Sequence, residues 1–277
     1  MSLTVFAVVM AAALLHASWN AIVKSADDKF LTTIMVTAAA AALSAAMLPF
    51  LTAPARASWP YAAASAVFQI AYFLLVARTY QIADMSQTYP LMRGTAPLIV
   101  AFASVFQMGD ALSPVAWAGV LGICLGIFSI ALGNRLNDRR GVYLALVNAL
   151  VIAAYTLIDG AGVRRSGAPA AYTLWVFLLT GVPLTLWATS TSRVASFRYF
   201  RRHWRLGIAG GVATTASYGL ALWAMTIAPV AIVAALRETS ILFGTLIAAV
   251  VLRESVGPRR LVAACIIAGG AAILRLA

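Results

Sequence analysis

The sequence predicts an all-α membrane protein with ten transmembrane helices, arranged as two five-helix repeats of inverted topology. Three observations support this fold class. Of the 277 residues, 63% are hydrophobic and only 10% are charged, which is far from the balance of a soluble domain. Ten apolar runs are long enough to cross a hydrocarbon core of about 30 Å, which needs about 20 helical residues. In addition, the two halves of the chain align with each other at a fixed offset.

The predicted spans leave little of the chain outside the bilayer. Connections such as KSADDK at 24–29 and GDALS at 109–113 are too short to fold by themselves, so any function has to be assembled from helix faces. A soluble catalytic domain is therefore not expected. The ten spans lie at 2–23, 30–52, 59–78, 84–107, 113–133, 141–162, 170–190, 204–226, 228–252 and 257–276.

The net charge of +12 is interpreted as a topology signal, because the cations collect at span ends. The loops 1–2, 3–4, 5–6, 7–8 and 9–10, with their flanks, hold 14 of the 20 basic residues. These loops share one side of the membrane, called the odd-loop face below, and the opposite side is the even-loop face. The excess of cations predicts a cytoplasmic odd-loop face and two external termini. The expected partner is the lipid bilayer, with no nucleic acid.

No cofactor or metal site is expected from the sequence. Cys124 and Cys265 both fall within predicted spans, with no second cysteine or histidine nearby at ligand spacing. Both are therefore predicted to be buried thiols. The sequence also has no nucleophile elbow and no paired carboxylates at helical spacing, so an enzyme is not expected.

An offset of 144 residues aligns the fourth and ninth spans and the turns that follow them. YPLMRGTAPLIVAF at 89–102 lies over VAALRETSILFGTL at 233–246. Each half, 1–135 and 136–277, then contains five spans, and an odd number per repeat makes the second copy enter the membrane from the opposite face. The aligned pairs include Arg93 with Arg237, Thr95 with Thr239, Asp110 with Glu254, Pro114 with Pro258 and Gly126 with Gly270.

These features together resemble the drug/metabolite transporter superfamily, in its EamA-type ten-helix branch. The resemblance is carried by HASWNAIVK at 16–24, by the acids Asp110 and Glu254 in the 4–5 and 9–10 turns, by the prolines that begin the next spans, and by glycine-rich spans 5 and 10. Asp110 departs from the usual glutamate. The resemblance covers the full length, and it implies a multi-pass secondary transporter of a bacterial-type inner membrane.

Two arginines lie inside predicted spans, which is costly in a bilayer and usually functional. Arg93 and Arg237 are expected to face the protein interior. Glu238 is the nearest intramembrane anion, and because adjacent helical residues do not face one another, it is predicted to pair with Arg93 across the contact of spans 4 and 9. Two roles stay open for the pair. It fixes helix register, or it is functional, in that one arginine recognises a substrate carboxylate or a member of the pair changes partner during transport.

The fourth span is predicted to be kinked beside a cavity. Pro90 and Pro97 each remove a backbone donor and free a carbonyl, and polar backbone at membrane depth is tolerated where protein or a water-filled cavity satisfies it. Gly94 between them permits close approach. A kink that serves only helix packing is the alternative.

The remaining candidates are polar and aromatic residues that would line a central cavity or, alternatively, form interfacial belts. His16 and Asn20 are four apart on one face of the first span, with Trp19 one step around. Asp84 and Asp159 lie near span ends and are expected to be solvated loop anchors, and a proton-sensing role if either is buried is the alternative. The aromatic candidates are Tyr80, Tyr89, Tyr155, Trp175, Tyr218 and Trp223.

The resemblance implies transport by alternating access, around a cavity lined by spans 1, 3, 4, 6, 8 and 9. Export of amino acids or related amphipathic metabolites is the leading hypothesis, by analogy with the aromatic amino-acid exporters of this branch. Export of drugs, nucleotide sugars or phosphometabolites is the alternative within transport, and a non-transporting membrane scaffold is the alternative outside it. Both a monomer and a dimer are compatible with the sequence.

Overall fold

The structure is a computed structural model that describes residues 1–83, 85–131, 139–191, 193–251, 253 and 257–277. These residues are helical apart from short connections. Two short 3₁₀ turns join the second and third helices. The helices are α1 (Leu3–Ser25), α2 (Lys29–Met47), α3 (Trp59–Ile82), α4 (Met85–Met108), α5 (Pro114–Ala131), α6 (Arg139–Ser166), α7 (Pro169–Thr191), α8 (Arg193–Met225), α9 (Val230–Arg237), α10 (Ser240–Val250) and α11 (Pro258–Leu276).

Within the described residues, eight helical segments are long and apolar enough to cross a membrane. They correspond to predicted spans 1 to 4 and 6 to 9. The apolar helix in the fifth span is shorter, over Pro114–Ile130, and α11 carries Arg259, Arg260 and Arg275 near its two ends. The chain is a multi-pass integral membrane protein.

Helix ends follow local sequence signals. The Ser2 and Asp28 side chains accept hydrogen bonds from the first turns of α1 and α2, and the Asp28 bond to the Leu31 amide is 2.9 Å long. Helices α5, α7 and α11 begin at proline, whose missing amide hydrogen would have no helical partner there. Gly109 and Gly167, with φ of 67° and 63°, follow the ends of α4 and α6.

The core is centred on α9, whose residues from Val230 to Leu236 are all buried. This helix packs against α1, α4, α5, α6 and α8. Around it, α1 lies along α8, α3 lies along α6, and α2 contacts both α7 and α8. Helices α5 and α11 form a closely packed pair at one side of the bundle. Apolar side chains on the outer surfaces are exposed, as is expected for helices that face lipid.

The ninth span, predicted over 228–252, corresponds to one apolar segment of membrane-spanning length over Val230–Val250, but it is not one continuous helix. The helix is interrupted at Glu238 and Thr239, where the amides of both residues bond to carbonyls three residues back, at 3.0 Å each. The chain therefore makes a short 3₁₀ junction between α9 and α10. In contrast, α4 runs as one helix through Pro90 and Pro97. A proline therefore does not mark the break in either half. Helix α4 contains two prolines and is continuous, whereas the α9–α10 junction contains none.

The eighth helix also differs from the prediction, which began it at residue 204. It begins at Arg193 and continues through a non-helical residue, His203, with φ of −114° and ψ of 18°. The basic segment therefore joins the transmembrane helix across a kink. The Tyr199 hydroxyl lies 2.7 Å from the Thr32 hydroxyl, which ties this segment to the start of α2.

Candidate functional site

A cavity of about 90 Å³ lies at the centre of the bundle and is lined by residues of eight helices, α1 to α4 and α6 to α9. This volume is enough for several water molecules. Six of the predicted site residues line it, from α1, α4, α6, α8 and α9. They are His16, Trp19, Arg93, Tyr155, Tyr218 and Arg237, and the further lining includes Thr33, Thr37, Gln69, Tyr72, Phe73, Phe177, Thr180 and Ser217.

Arg93 and Glu238 form the predicted ion pair between α4 and the α9–α10 junction. The Arg93 Nε atom donates to Glu238 Oε2 at 2.8 Å, and each side chain is only 7% exposed. A charged hydrogen bond of this length in a buried site is strong. The guanidinium of Arg93 is therefore occupied by a fixed carboxylate, although it borders the cavity.

Arg237 is in a different state. Its guanidinium carbon lies 5.0 Å from the centre of the Tyr218 ring, in a cation–π contact. Among the described residues it makes no ion pair, because the neighbouring Glu238 is directed to Arg93. The cavity thus contains one cation with a fixed anion and one held against an aromatic face.

The polar residues of α1 are ordered by their own contacts. The Trp19 indole Nε1 donates to His16 Nδ1 at 3.4 Å, and the Asn20 side-chain amide donates to the His16 carbonyl at 2.7 Å. Because His16 Nδ1 accepts this bond, a neutral His16 carries its proton on Nε2. His16 borders both the central cavity and a second one.

That second cavity, of about 250 Å³, leads from His16 to the odd-loop face. It is bounded by α1, α4, α5, α10 and α11, and it reaches the exposed residues Lys24 and Arg260. Asn20 and Tyr89 of the predicted set lie along it. The cavity is called the odd-face vestibule below, and it shares the lining residue His16 with the central cavity.

The even-loop face is closed by a group called the even-face latch, formed by Arg164 and Asp110. Arg164 donates to Asp110 at 3.2 Å, to the Met225 carbonyl at 2.8 Å and to the Ala228 carbonyl at 3.0 Å. Asp110 also accepts from the Val230 amide at 3.0 Å. The latch joins the end of α6, the 4–5 turn and the connection into α9.

A buried carboxylate lies between the central cavity and the even-loop face. Asp159 of α6 is fully buried and accepts hydrogen bonds from Ser65 at 2.8 Å, Tyr172 at 2.9 Å, Gln69 at 3.4 Å and the Tyr218 hydroxyl. Four helices, α3, α6, α7 and α8, therefore meet at this side chain. The expectation that Asp159 is a solvated loop anchor was wrong, because α6 continues for two more turns to Ser166.

The comparisons agree with this architecture. The profile of the EamA-like transporter family matches residues 139–276, which is about half of the chain. The chain belongs to the EamA-like transporter family, within the drug/metabolite transporter superfamily. A solved crystal structure shares the fold, with a TM-score of 0.74 and 19% identity over 99% of this chain and 97% of the other. No curated protein sequence matches the chain.

Not every predicted residue of this EamA-like transporter lies at the cavity. Trp175 packs against Trp59, with ring centres 4.9 Å apart, and Trp223 packs on the apolar core. Neither is among the described lining residues of the central cavity. The side chain of Tyr80 and the whole of Asp84 lie outside the described residues. The aromatic wall of the cavity includes three residues that were not predicted, Tyr72, Phe73 and Phe177. They lie beside the predicted Trp19, Tyr155 and Tyr218.

Sequence reasoning missed the Asp159 cluster, although a signal was present. Ser65 and Gln69 are four residues apart on α3, and Tyr155 and Asp159 are four apart on α6. In each case the spacing places two polar groups on one helix face, and two such faces inside apolar helices need each other as partners. Pairing polar faces between spans would have predicted the contact.

The two cysteines of this transporter differ in burial. Cys124 is buried as predicted, whereas Cys265 is exposed on the outer side of α11. The prediction for Cys265 was wrong because α11 turns the opposite face toward α5. Within the described residues, no group of three or more His, Cys, Asp or Glu side chains forms a site that could hold a metal ion.

Proposed function

We propose that the chain exports amino acids, preferably those with apolar or aromatic side chains, by alternating access across the cell membrane. The observation that carries this proposal is Arg237. It lines a central, membrane-embedded cavity and has no carboxylate partner among the described residues. An intramembrane cation of this kind is a functional site by default.

The chemistry of Arg237 favours a carboxylate ligand. A guanidinium binds a carboxylate through two parallel hydrogen bonds, and the Tyr218 ring supplies only a weaker cation–π contact. Arg93 already has such a ligand in Glu238. A substrate carboxylate at Arg237 would therefore complete a second pair at the corresponding place of the second half.

The remaining lining suits the other parts of an amino acid. The rings of Trp19, Tyr72, Tyr155 and Phe177 provide apolar walls for a side chain. The Thr180 hydroxyl borders the cavity, is buried, and has no hydrogen-bond partner among the described residues. A buried hydroxyl without a partner costs free energy, and a substrate ammonium group would satisfy it as a donor.

The same lining argues against a phosphate-bearing substrate. A sugar phosphate or nucleotide sugar carries at least two negative charges, and proteins bind such groups with several cations. The described cavity offers Arg237 alone, since Arg93 is neutralised by Glu238. A scaffold without transport activity would have no use for an unpaired cation at this depth.

Ten spans in two inverted repeats are part of the proposal, and the helix contacts support them. A twofold relation between the halves exchanges α1 with α6, α2 with α7, α3 with α8, α4 with the α9–α10 pair, and α5 with α11. Under this exchange the contact of α3 with α6 becomes that of α8 with α1, and the contact of α2 with α8 becomes that of α7 with α3. Inverted repeats supply two similar gates around one site.

Two features support alternating access. The odd-face vestibule extends from His16, which also borders the central cavity, toward one face, while the even-face latch ties helix ends together at the other. One accessible face and one tied face are what an end state of the proposed cycle requires. The positive charge of the odd loops makes that open face the cytoplasmic one, which is the side from which an exporter loads its substrate.

The direct test uses the purified protein in liposomes loaded with unlabelled solute, with counterflow of labelled solute as the readout. The panel contains aromatic, aliphatic and charged amino acids together with a sugar phosphate and a nucleotide sugar. We expect counterflow of neutral apolar amino acids only. Counterflow of the phosphorylated solutes without any amino acid would reject the proposal.

A further inference from the structure

The cluster around Asp159 has a property that the proposed binding site does not use. The carboxylate is completely buried, and its four partners, Ser65, Gln69, Tyr172 and Tyr218, are all neutral donors. It lies in a transmembrane helix, within Arg139–Ser166. Most buried carboxylates in membranes are paired with a cation or take part in ion movement.

No cation among the described residues forms an ion pair with Asp159. The charged and titratable groups nearby are separated from it by aromatic rings. Arg237 lies on the Tyr218 ring at 5.0 Å, and Arg165 lies on the Tyr61 ring at 5.0 Å, against the α3 side of the cluster. Tyr155 is one turn earlier on α6, and Tyr172 comes from α7. An ionised Asp159 therefore depends on hydrogen bonds alone to offset its desolvation.

The four donors differ in whether they can pass a proton from the central cavity to Asp159. Of the four partners, only Gln69 and Tyr218 also line the central cavity. The Gln69 Nε2 atom can only donate, whereas a tyrosine hydroxyl can donate and accept. A protonated Asp159 can thus donate to the Tyr218 oxygen, provided that the Tyr218 hydrogen turns toward the cavity.

This reversal defines a balanced proton transfer. A hydronium ion that reaches the cavity from solution gives a proton to the Tyr218 oxygen as the Tyr218 hydrogen passes to the Asp159 carboxylate. The hydronium ion is left as water, Tyr218 stays neutral, and Asp159 becomes a neutral carboxylic acid. Release follows the same steps in reverse. Neither Ser65 nor Tyr172 provides such a route, because neither is a described lining residue of the cavity.

Tyr218 also connects this site to the proposed substrate site. Its ring contacts Arg237, and its hydroxyl bonds to Asp159. A substrate carboxylate that draws the Arg237 guanidinium away changes the position of Tyr218, and with it the hydrogen bond to Asp159. Coupling between two ligands requires such a shared element, whose state each ligand changes.

We propose that Asp159 is a proton-binding site that couples substrate export to proton entry, with Tyr218 as the relay between the carboxylate and the cavity. The coupling role rests on the proposed function. The proton site itself does not, because proton uptake by a carboxylate can be measured without any substrate.

The first experiment therefore measures protonation directly. Infrared difference spectra of the protein in lipid are recorded while the pH is lowered, and the carbonyl band of a protonated carboxylic acid is followed. We expect a band that is lost in D159N and retained in E238Q, which changes the second buried carboxylate of the described residues. A band that is unchanged in D159N would overturn the proposal, whatever the substrate proves to be.

The second experiment measures coupling in proteoliposomes, with the membrane potential clamped by potassium and valinomycin. For one proton exchanged per substrate, a gradient of one pH unit drives about tenfold accumulation. We expect D159N to lose this accumulation and to retain counterflow exchange, which needs no gradient. Counterflow without any response to the gradient in the unmodified protein would reject coupling and leave the proposed substrate standing.

A matched pair of variants separates the relay from a structural role. Y218F and Y172F each remove one hydroxyl donor to Asp159 and keep the ring, but only Tyr218 borders the cavity. We expect Y218F to lose gradient-driven accumulation and Y172F to retain far more of it. Equal losses would overturn the role of Tyr218, since they would mean that both hydroxyls only hold the helices together.

Discussion

Two regions relate the halves of this transporter in opposite ways. Where α5 meets α11, the contacts are symmetrical. A methyl group on Gly126 would lie 3.0 Å from the Ile267 amide nitrogen, and one on Gly270 would lie 2.7 Å from that of Ile123. These residues correspond at the 144-residue offset. Where α4 meets α9, in contrast, Arg93 has an ion-pair partner among the described residues and Arg237 has none.

A single sequence difference accounts for the unequal arginines. Gly94 follows Arg93 in the first half, and Glu238 follows Arg237 at the corresponding position in the second. Glu238 reaches across to Arg93, whereas Gly94 has no side chain and faces the ring of Phe128. The α5–α11 contact, where the two halves have the same residues, is symmetrical. At the α4–α9 contact, where Gly94 corresponds to Glu238, Arg237 is left for another ligand.

Breaking the Arg93–Glu238 pair should have the largest effect on this comparison. E238A leaves a buried guanidinium without its anion, and R93A leaves a buried carboxylate, so each should destabilise the fold by about 3–5 kcal/mol. The measurement is thermal unfolding of the purified variants in one detergent, followed by counterflow in liposomes.

The double variant R93A/E238A is the control for this prediction, because it removes both charges. Its loss should be smaller than the sum of the single losses. Additive losses would mean that the two side chains do not act on one another in the folded protein.

The other arginine should behave differently. R237Q removes the proposed carboxylate ligand, so the half-saturating amino-acid concentration in counterflow should rise about thirtyfold or more, as for a lost charged hydrogen bond of 2 kcal/mol. R237K keeps the charge but cannot form two parallel hydrogen bonds to a carboxylate, so its half-saturating concentration should lie between those of the unmodified protein and R237Q. Unfolding should change little, because only a cation–π contact is lost. Unchanged affinity in R237Q would remove Arg237 from the binding site.

The sequence predicted the fold more fully than the site. Apolar runs located the eight segments of membrane-spanning length that the described residues contain, and the rarity of intramembrane charge singled out Arg93, Arg237 and Glu238. Side-chain contacts between helices that are far apart in sequence are set by helix rotation and tilt, which a single apolar run hardly constrains. For this reason Asp159 was misread as a loop residue, and the break between α9 and α10, which has no proline or glycine to mark it, was missed.

The symmetrical region can be tested with alanine. G126A and G270A each place a methyl group against backbone atoms of the partner helix, which cannot move aside easily. Each should cost about 1–3 kcal/mol, and the two costs should be similar. G269A is the matched control, since nothing lies within 4 Å of its added methyl group. A G269A loss as large as that of G270A would point to helix flexibility as the cause.

The smallest effect on stability is expected at the even-face latch. Arg164 is 29% exposed on its side chain, so D110N should cost less than about 1 kcal/mol. D110N should still open the central cavity to the even-loop face. With T180C as the reporter in a C124A/C265A background, a water-soluble thiol reagent should react from the odd-loop face in the parent and from both faces in D110N. A reporter that reacts from neither face would contradict the central cavity.

The glycine contacts between α5 and α11 also limit which parts of the bundle can separate. Backbone atoms of these helices touch directly, with Gly270 Cα only 3.3 Å from a methyl group placed on Gly122. Moving them apart would open a void with no side chains to fill it. In the proposed cycle these two helices would therefore stay together, and the widening that admits a solute would have to occur away from this contact.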